Sequence, residues 1–85
     1  MDSSARCVEL AHRYPQVMAG VGVHPMELRA PLDAAACGAL EALAADPRVA
    51  VVSEVGLDHL PGMPDRAWQE EAFRLQIRLA RRVGK

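Results

Sequence analysis

The chain has 85 residues, of which 51% are hydrophobic and 25% charged, and its 10 Lys and Arg against 11 Asp and Glu leave a net charge of −1. This composition fits one folded globular unit spanning residues 1–85 and excludes a disordered tail, and the near balance of charge excludes a protein that grips nucleic acid through bulk positive potential. No apolar run approaches the roughly 18 residues that cross a bilayer, so no membrane partner is expected.

Met1-Asp2-Ser3-Ser4 lacks the basic start and apolar core of a secretory signal, so a reduced, cytoplasmic chain is expected, with Cys7 and Cys37 as buried packing thiols. From Ser4 to Tyr14, Ala5, Val8, Leu10 and Ala11 recur near helical spacing, with a serine available as cap and Pro15 as the stop. His12, near the end of this first helix, suits the negative pole of the helix dipole better than a ligand role. Val17 to Val23 is an uncharged apolar run, the pattern of a strand covered on both faces, and it halts at His24-Pro25.

After the loop Met26 to Pro31, Asp33 is a plausible cap for an alanine-rich second helix ending near Ala45. Its apolar stripe runs through Ala36, Cys37, Leu40, Leu43 and Ala44. Asp46-Pro47 breaks it, and Val49 to Val55 reads as a second strand because β-branched valines favour pleated structure. Strand, helix and strand with short connections form a βαβ unit, which makes the two strands parallel. The loop Leu60 to Pro64 leads to a third helix, Asp65 to Val83, with Trp68, Ala72, Leu75, Leu79 and Val83 on one face. Arg74, Arg78, Arg81 and Lys85 form an opposite, solvated stripe, and Glu70 with Arg74 is spaced for an i to i+4 pair. The fold class is α/β, in the order αβαβα.

Glu54 stands at the end of the valine run, where an isolated carboxylate in apolar surroundings costs several kcal/mol and calls for a reason. In a parallel sheet the C-terminal strand ends lie side by side, so His24 and Glu54 should share the edge at which parallel α/β proteins build their sites. Asp58 follows in the next loop, with Gly56 allowing a turn that a side chain would obstruct. One imidazole and two carboxylates there suit a divalent cation, oxygen donors favouring Mg or Mn and the imidazole favouring Zn. The competing reading is local: His24 as a hydrogen-bonded residue before proline, and Glu54 as a cap or salt-bridge partner. His59 either lines the site or is a solvated loop residue.

Three segments in order carry a resemblance. Gly22-Val23-His24-Pro25, Val51-Val52-Ser53-Glu54-Val55-Gly56-Leu57-Asp58, and the helix bearing Gln69, Phe73, Gln76, Leu79 and Ala80 resemble the TatD family of metal-dependent hydrolases. The resemblance implies a fragment, about a third, of a (β/α)8 TIM-type barrel of roughly 250 residues. It implies phosphodiester hydrolysis, typically of DNA, with Glu54 as a metal ligand bridging two divalent cations and His24 and Asp58 near the site. Ser53 departs from the family's usual glycine and His59 from its usual aromatic, which bears on substrate preference. The H-x-H strand with which the family begins is absent, and Lys85 falls where a next strand is expected, so this chain alone is expected to be inactive. The alternatives are a non-catalytic α/β module that self-associates through unpaired sheet edges, and a barrel hydrolase of non-nucleic-acid esters or amides.

Overall fold

Residues 2–85 are described by a computed structural model. Helix α1 covers Asp2–Arg13, strand β1 Ala19–Val21, helix α2 Ala34–Ala44, strand β2 Val49–Val52 and helix α3 Arg66–Val83, with a 3₁₀ turn at Pro25–Glu27 after β1. The two strands pair in parallel, as the βαβ reading requires. The expected cap at Asp33 forms, accepting from Ala36 N, and Asp65, expected as the first residue of the third helix, is instead its cap, accepting from Ala67 N and Trp68 N, so each satisfies donors that the first helical turn leaves free. Gly84, at φ 75°, ends α3 in the left-handed conformation that glycine adopts without penalty.

One buried cluster joins Val8 and Ala11 of α1, Leu40 and Ala44 of α2, and Ala72 and Leu79 of α3 to Ala19, Val21 and Val49 of the strands. All three helices therefore cover one face of the sheet. The opposite face is open, with Met18 49% and Val51 46% exposed, which corrects the expectation of strands covered on both sides. The strands are also shorter than the apolar runs. In β2 the pairing slips between Ala19↔Val49 and Gly20↔Val51, so Ala50 bulges and both Ala50 and Val51 turn outward. Past Val52 the ladder keeps one bond, Ser53 N to Val21 O at 2.8 Å, before Glu54 turns the chain away.

Several local expectations give way to tertiary contacts. Ser4 caps nothing; it lies inside α1, 4% exposed, and its hydroxyl both donates to Gly22 O and accepts from Gly22 N at 3.1 Å. Cys7 is exposed and Cys37 half-buried, so neither thiol is a core residue. Lys85 leaves the arginine stripe and donates to Ala44 O at 2.7 Å and Asp46 O at 2.8 Å, satisfying carbonyls at the end of α2. Among the described residues Glu70 and Arg74 form no ion pair; α3 is tied instead through Arg82, 2.6 Å from Glu41 Oε1 on α2.

His12 and Asp46 link the end of α1 to the turn after α2, Nε2 to Oδ2 at 2.7 Å. The hydrogen bond from His12, and then that from Arg48 N, hold the Asp46 carboxyl below its ordinary value of 3.8. A carboxyl that binds its proton less tightly when folded stabilises fully above the ordinary value and loses that contribution as pH falls through the lower folded one. Asp46→Asn keeps an acceptor for Arg48 but does not titrate. The difference in melting temperature between the native chain and this variant should therefore shrink on acidification below about pH 4 and go on shrinking as pH falls through the lowered value of the folded carboxyl. A difference unchanged over that range would show that the pair contributes nothing.

Candidate metal and phosphodiester site

Glu54 adopts φ 60°, the left-handed region that residues with a Cβ occupy rarely and at a cost of order 1–3 kcal/mol. The physical origin is the end of the sheet. After Ser53 donates to Val21 O there is no further partner on β1, and the chain reverses through Glu54 and Gly56, the latter at φ 142°. No atom lies within 4 Å of where a Cβ on Gly56 would be, so it is the backbone angle, not crowding, that requires glycine there. The Glu54 side chain is exposed; the anticipated problem of a buried charge does not arise, and conformational strain replaces it as the feature needing a reason.

His24 follows β1 at the same edge. Its Nδ1 accepts from Met26 N at 3.1 Å, capping the 3₁₀ turn that Pro25 begins. His24 and Glu54 line one hollow of about 270 Å³, with Gly20, Gly22 and Ser53 as its floor and Ser3, Ser4 and Cys7 of α1 along its side. The floor is glycine because β2 comes so near: a Cβ on Gly22 would stand 2.1 Å from Ser53 O, and one on Gly20 2.5 Å from Ser53 Oγ.

Asp58 does not join them. It lies in a neighbouring hollow with His59, Arg66 and Gln69. Asp58 Oδ1 accepts from Leu60 N at 3.1 Å, an Asx-type turn, and the residue's backbone is gripped by Gln69, whose Oε1 accepts from Asp58 N at 2.7 Å and whose Nε2 donates to Asp58 O at 2.8 Å. His59 Nδ1 lies 2.7 Å from Arg66 Nη2, which can only donate, so the imidazole accepts. His12 is held by Asp46, far along the chain from these loops. Among the described residues no three His, Cys, Asp or Glu side chains gather into a metal-holding group.

Gln69 and Gln76, named above only as residues carrying the resemblance, hold the backbones of Asp58 and Val23, a role that spacing did not single out. They are 1% and 2% exposed, on the apolar face of α3. A polar residue recurring seven positions apart within a hydrophobic stripe was the available signal.

A family model described as TatD related DNase matches residues 1–85. Among curated proteins, the 3'-5' ssDNA/RNA exonuclease TatD of Edwardsiella piscicida is 37% identical over 86 residues, covering 100% of this chain and 33% of that protein. The uncharacterized metal-dependent hydrolase TatD of Mycobacterium tuberculosis is 42% identical over 88 residues, covering 96% and 33%. The exonuclease of the same name from Cronobacter turicensis is 38% identical over 80 residues, covering 94% and 30%. This chain spans about a third of the length of the curated relatives it matches. With the family model matching residues 1–85 and curated relatives 37–42% identical over nearly all of the chain, the chain belongs to the TatD-related DNase family.

Proposed function

We propose that this chain is part of a metal-dependent hydrolase that cleaves phosphodiester bonds of DNA or another nucleic acid, in which Glu54 holds divalent metal. The observation that carries this reading is the left-handed Glu54 at the end of β2, beside His24. Strain held by an exposed carboxylate at a strand end has no packing reward, and such outliers cluster at functional sites. The names of the relatives add the metal and the nucleic-acid substrate. Divalent cations bound there would supply an activated water and stabilise the leaving oxygen in this type of chemistry. Glu54 would hold such metal through its carboxylate, with His24 in the same hollow and Asp58 in the neighbouring one. The rest of a (β/α)8 barrel completes the site, so the isolated chain binds metal weakly and does not turn over.

The test uses Mn²⁺ and the amide and side-chain resonances of the labelled chain. Paramagnetic broadening should centre on Glu54 and disappear in Glu54→Gly, which should also be more stable by up to about 1 kcal/mol because glycine relieves the positive φ. Broadening that ignores position 54 would remove the metal assignment. A second reading has an observation of its own: the open sheet face exposes Met18 and Val51, and both strands have an unpaired edge. A chain whose mass doubles in sedimentation while Mn²⁺ leaves Glu54 untouched is a self-associating module. A hydrolase of other esters or amides would be recognised by the full-length parent failing on every DNA substrate while cleaving small esters.

A further inference from the structure

The peptide hydrogen bonds of Val23, immediately before His24, go to neither strand. Val23 N donates to Gln76 Oε1 at 2.8 Å, and Gln76 Nε2 donates to Val23 O at 3.3 Å and to Ala72 O at 3.1 Å. Both residues are buried, Val23 at 7% and Gln76 at 2% exposure. A carboxamide carries a donor and an acceptor in one plane, so it can stand in for the strand that β1 lacks at this level; a carboxylate lacks the donor. α3 thus grips the chain one residue before the imidazole that caps the 3₁₀ turn.

That cap decides the state of the ring. Met26 N can only donate, so His24 Nδ1 must present its lone pair, and a neutral ring then carries its proton on Nε2. We propose that Gln76 is a positioning residue for His24: by clamping Val23 it keeps the imidazole as the Nε2–H tautomer, a hydrogen-bond donor to an anionic oxygen such as that of a phosphate ester. In this state neither nitrogen has a free lone pair, so His24 serves the oxyanion and leaves the cation to carboxylates. The inference rests on the hollow of His24 and Glu54 being the site, yet its test involves neither metal nor substrate, so failure of the metal reading leaves the result intact.

Long-range ¹H–¹⁵N correlation of the His24 ring, in mildly alkaline buffer, reads the tautomer directly. The native chain should show protonated Nε2 and unprotonated Nδ1. Gln76→Leu should shift the ring toward the mixture of a free histidine. Gln69→Leu removes part-buried side-chain bonds from the same face of α3, but at the Asp58 loop, and should leave the His24 ring unchanged. A native ring protonated on Nδ1, a pure Nε2–H ring in Gln76→Leu, or equal scrambling in both variants would each overturn the proposal. Should Gln76→Leu not fold, amide exchange in the native chain decides. Opening of the clamp frees the cap, so the Val23 and Met26 amides should show protection within about threefold of each other. Protection of Met26 weaker by about a hundredfold would show that cap and clamp open independently.

Discussion

Gly22→Ala should cost this chain about 3 kcal/mol or more, the upper end of what overpacking a filled site costs. The new methyl would lie 2.1 Å from the carbonyl oxygen of Ser53 and 3.0 Å from Val55 Cγ1. Gly20 offers a milder contrast, because its nearest neighbour is the Ser53 hydroxyl, which can rotate away. At Gly22 neither partner can yield easily. Ser53 is pinned by its N–H bond to Val21 O, and Gly22 is pinned by the Ser4 hydroxyl on both its N–H and its C=O. Retreat of either strand breaks a bond between α1 and β1 or the last rung of the sheet. An 85-residue domain has roughly 4–13 kcal/mol in hand, and each kcal/mol moves its midpoint by about 4–8 °C. Thermal denaturation followed by circular dichroism should therefore show a fall of about 12–24 °C. A variant melting within about 4 °C of the native chain would mean that the strands separate freely and that the floor of the Glu54 hollow is not close-packed.

The same contacts explain which parts of the molecule were legible in the sequence. Asp33 could be read as a cap because capping is settled within three residues, and the βαβ unit could be read because its periodicities change at proline and glycine. Glu54 and His24 could be brought to one edge by topology alone. Asp58 was expected to converge with them and does not: its loop is shaped by Gln69, eleven residues on, and carries the carboxylate into a separate hollow. The bulge at Ala50 and the positive φ of Glu54 leave no mark in an unbroken valine run, since the first is a slip of register inside the ladder and the second arises past its last pair. Ser4 reads as a cap and Cys7 as core by residue type; the contact with Gly22 and the open side of α1 reverse both. Family membership was legible because motif segments survive in order along a chain even when the side chains completing a site do not lie within it.

Arg48→Met should lower stability by about 2–3 kcal/mol without disturbing Glu54. Arg48 precedes β2, at the end of the sheet opposite the hollow, and nothing in its sequence context distinguishes it from a solvated arginine. Its guanidinium gathers carbonyls at the end of α1 and in the following turn, of which Tyr14 O also accepts from Val17 N. Nε donates to Ala11 O at 3.1 Å, and Nη2 donates to Pro15 O at 2.9 Å, to Tyr14 O at 3.4 Å and to Val17 O. The last turn of a helix has carbonyls without intrahelical partners, and a planar fork of donors reaches several at once. Bonds from a charged donor contribute about 1.5–3 kcal/mol each when shielded, and far less when water competes, so the partly buried Nε bond dominates the total. Methionine keeps the stem's packing and removes the donors; lysine restores charge but one point of contact, so Arg48→Lys should recover less than half of the loss. The loss should appear as a lower melting temperature and as faster amide exchange at Val17 and Ala19, with Mn²⁺ broadening at Glu54 unchanged at temperatures where the variant is folded. Broadening that fell in proportion to stability would mean that the two ends of the sheet are one cooperative device. Independence would mean that the chain keeps its stabilising contacts at the N-terminal ends of the strands and its strain, with whatever chemistry it serves, at the C-terminal ends.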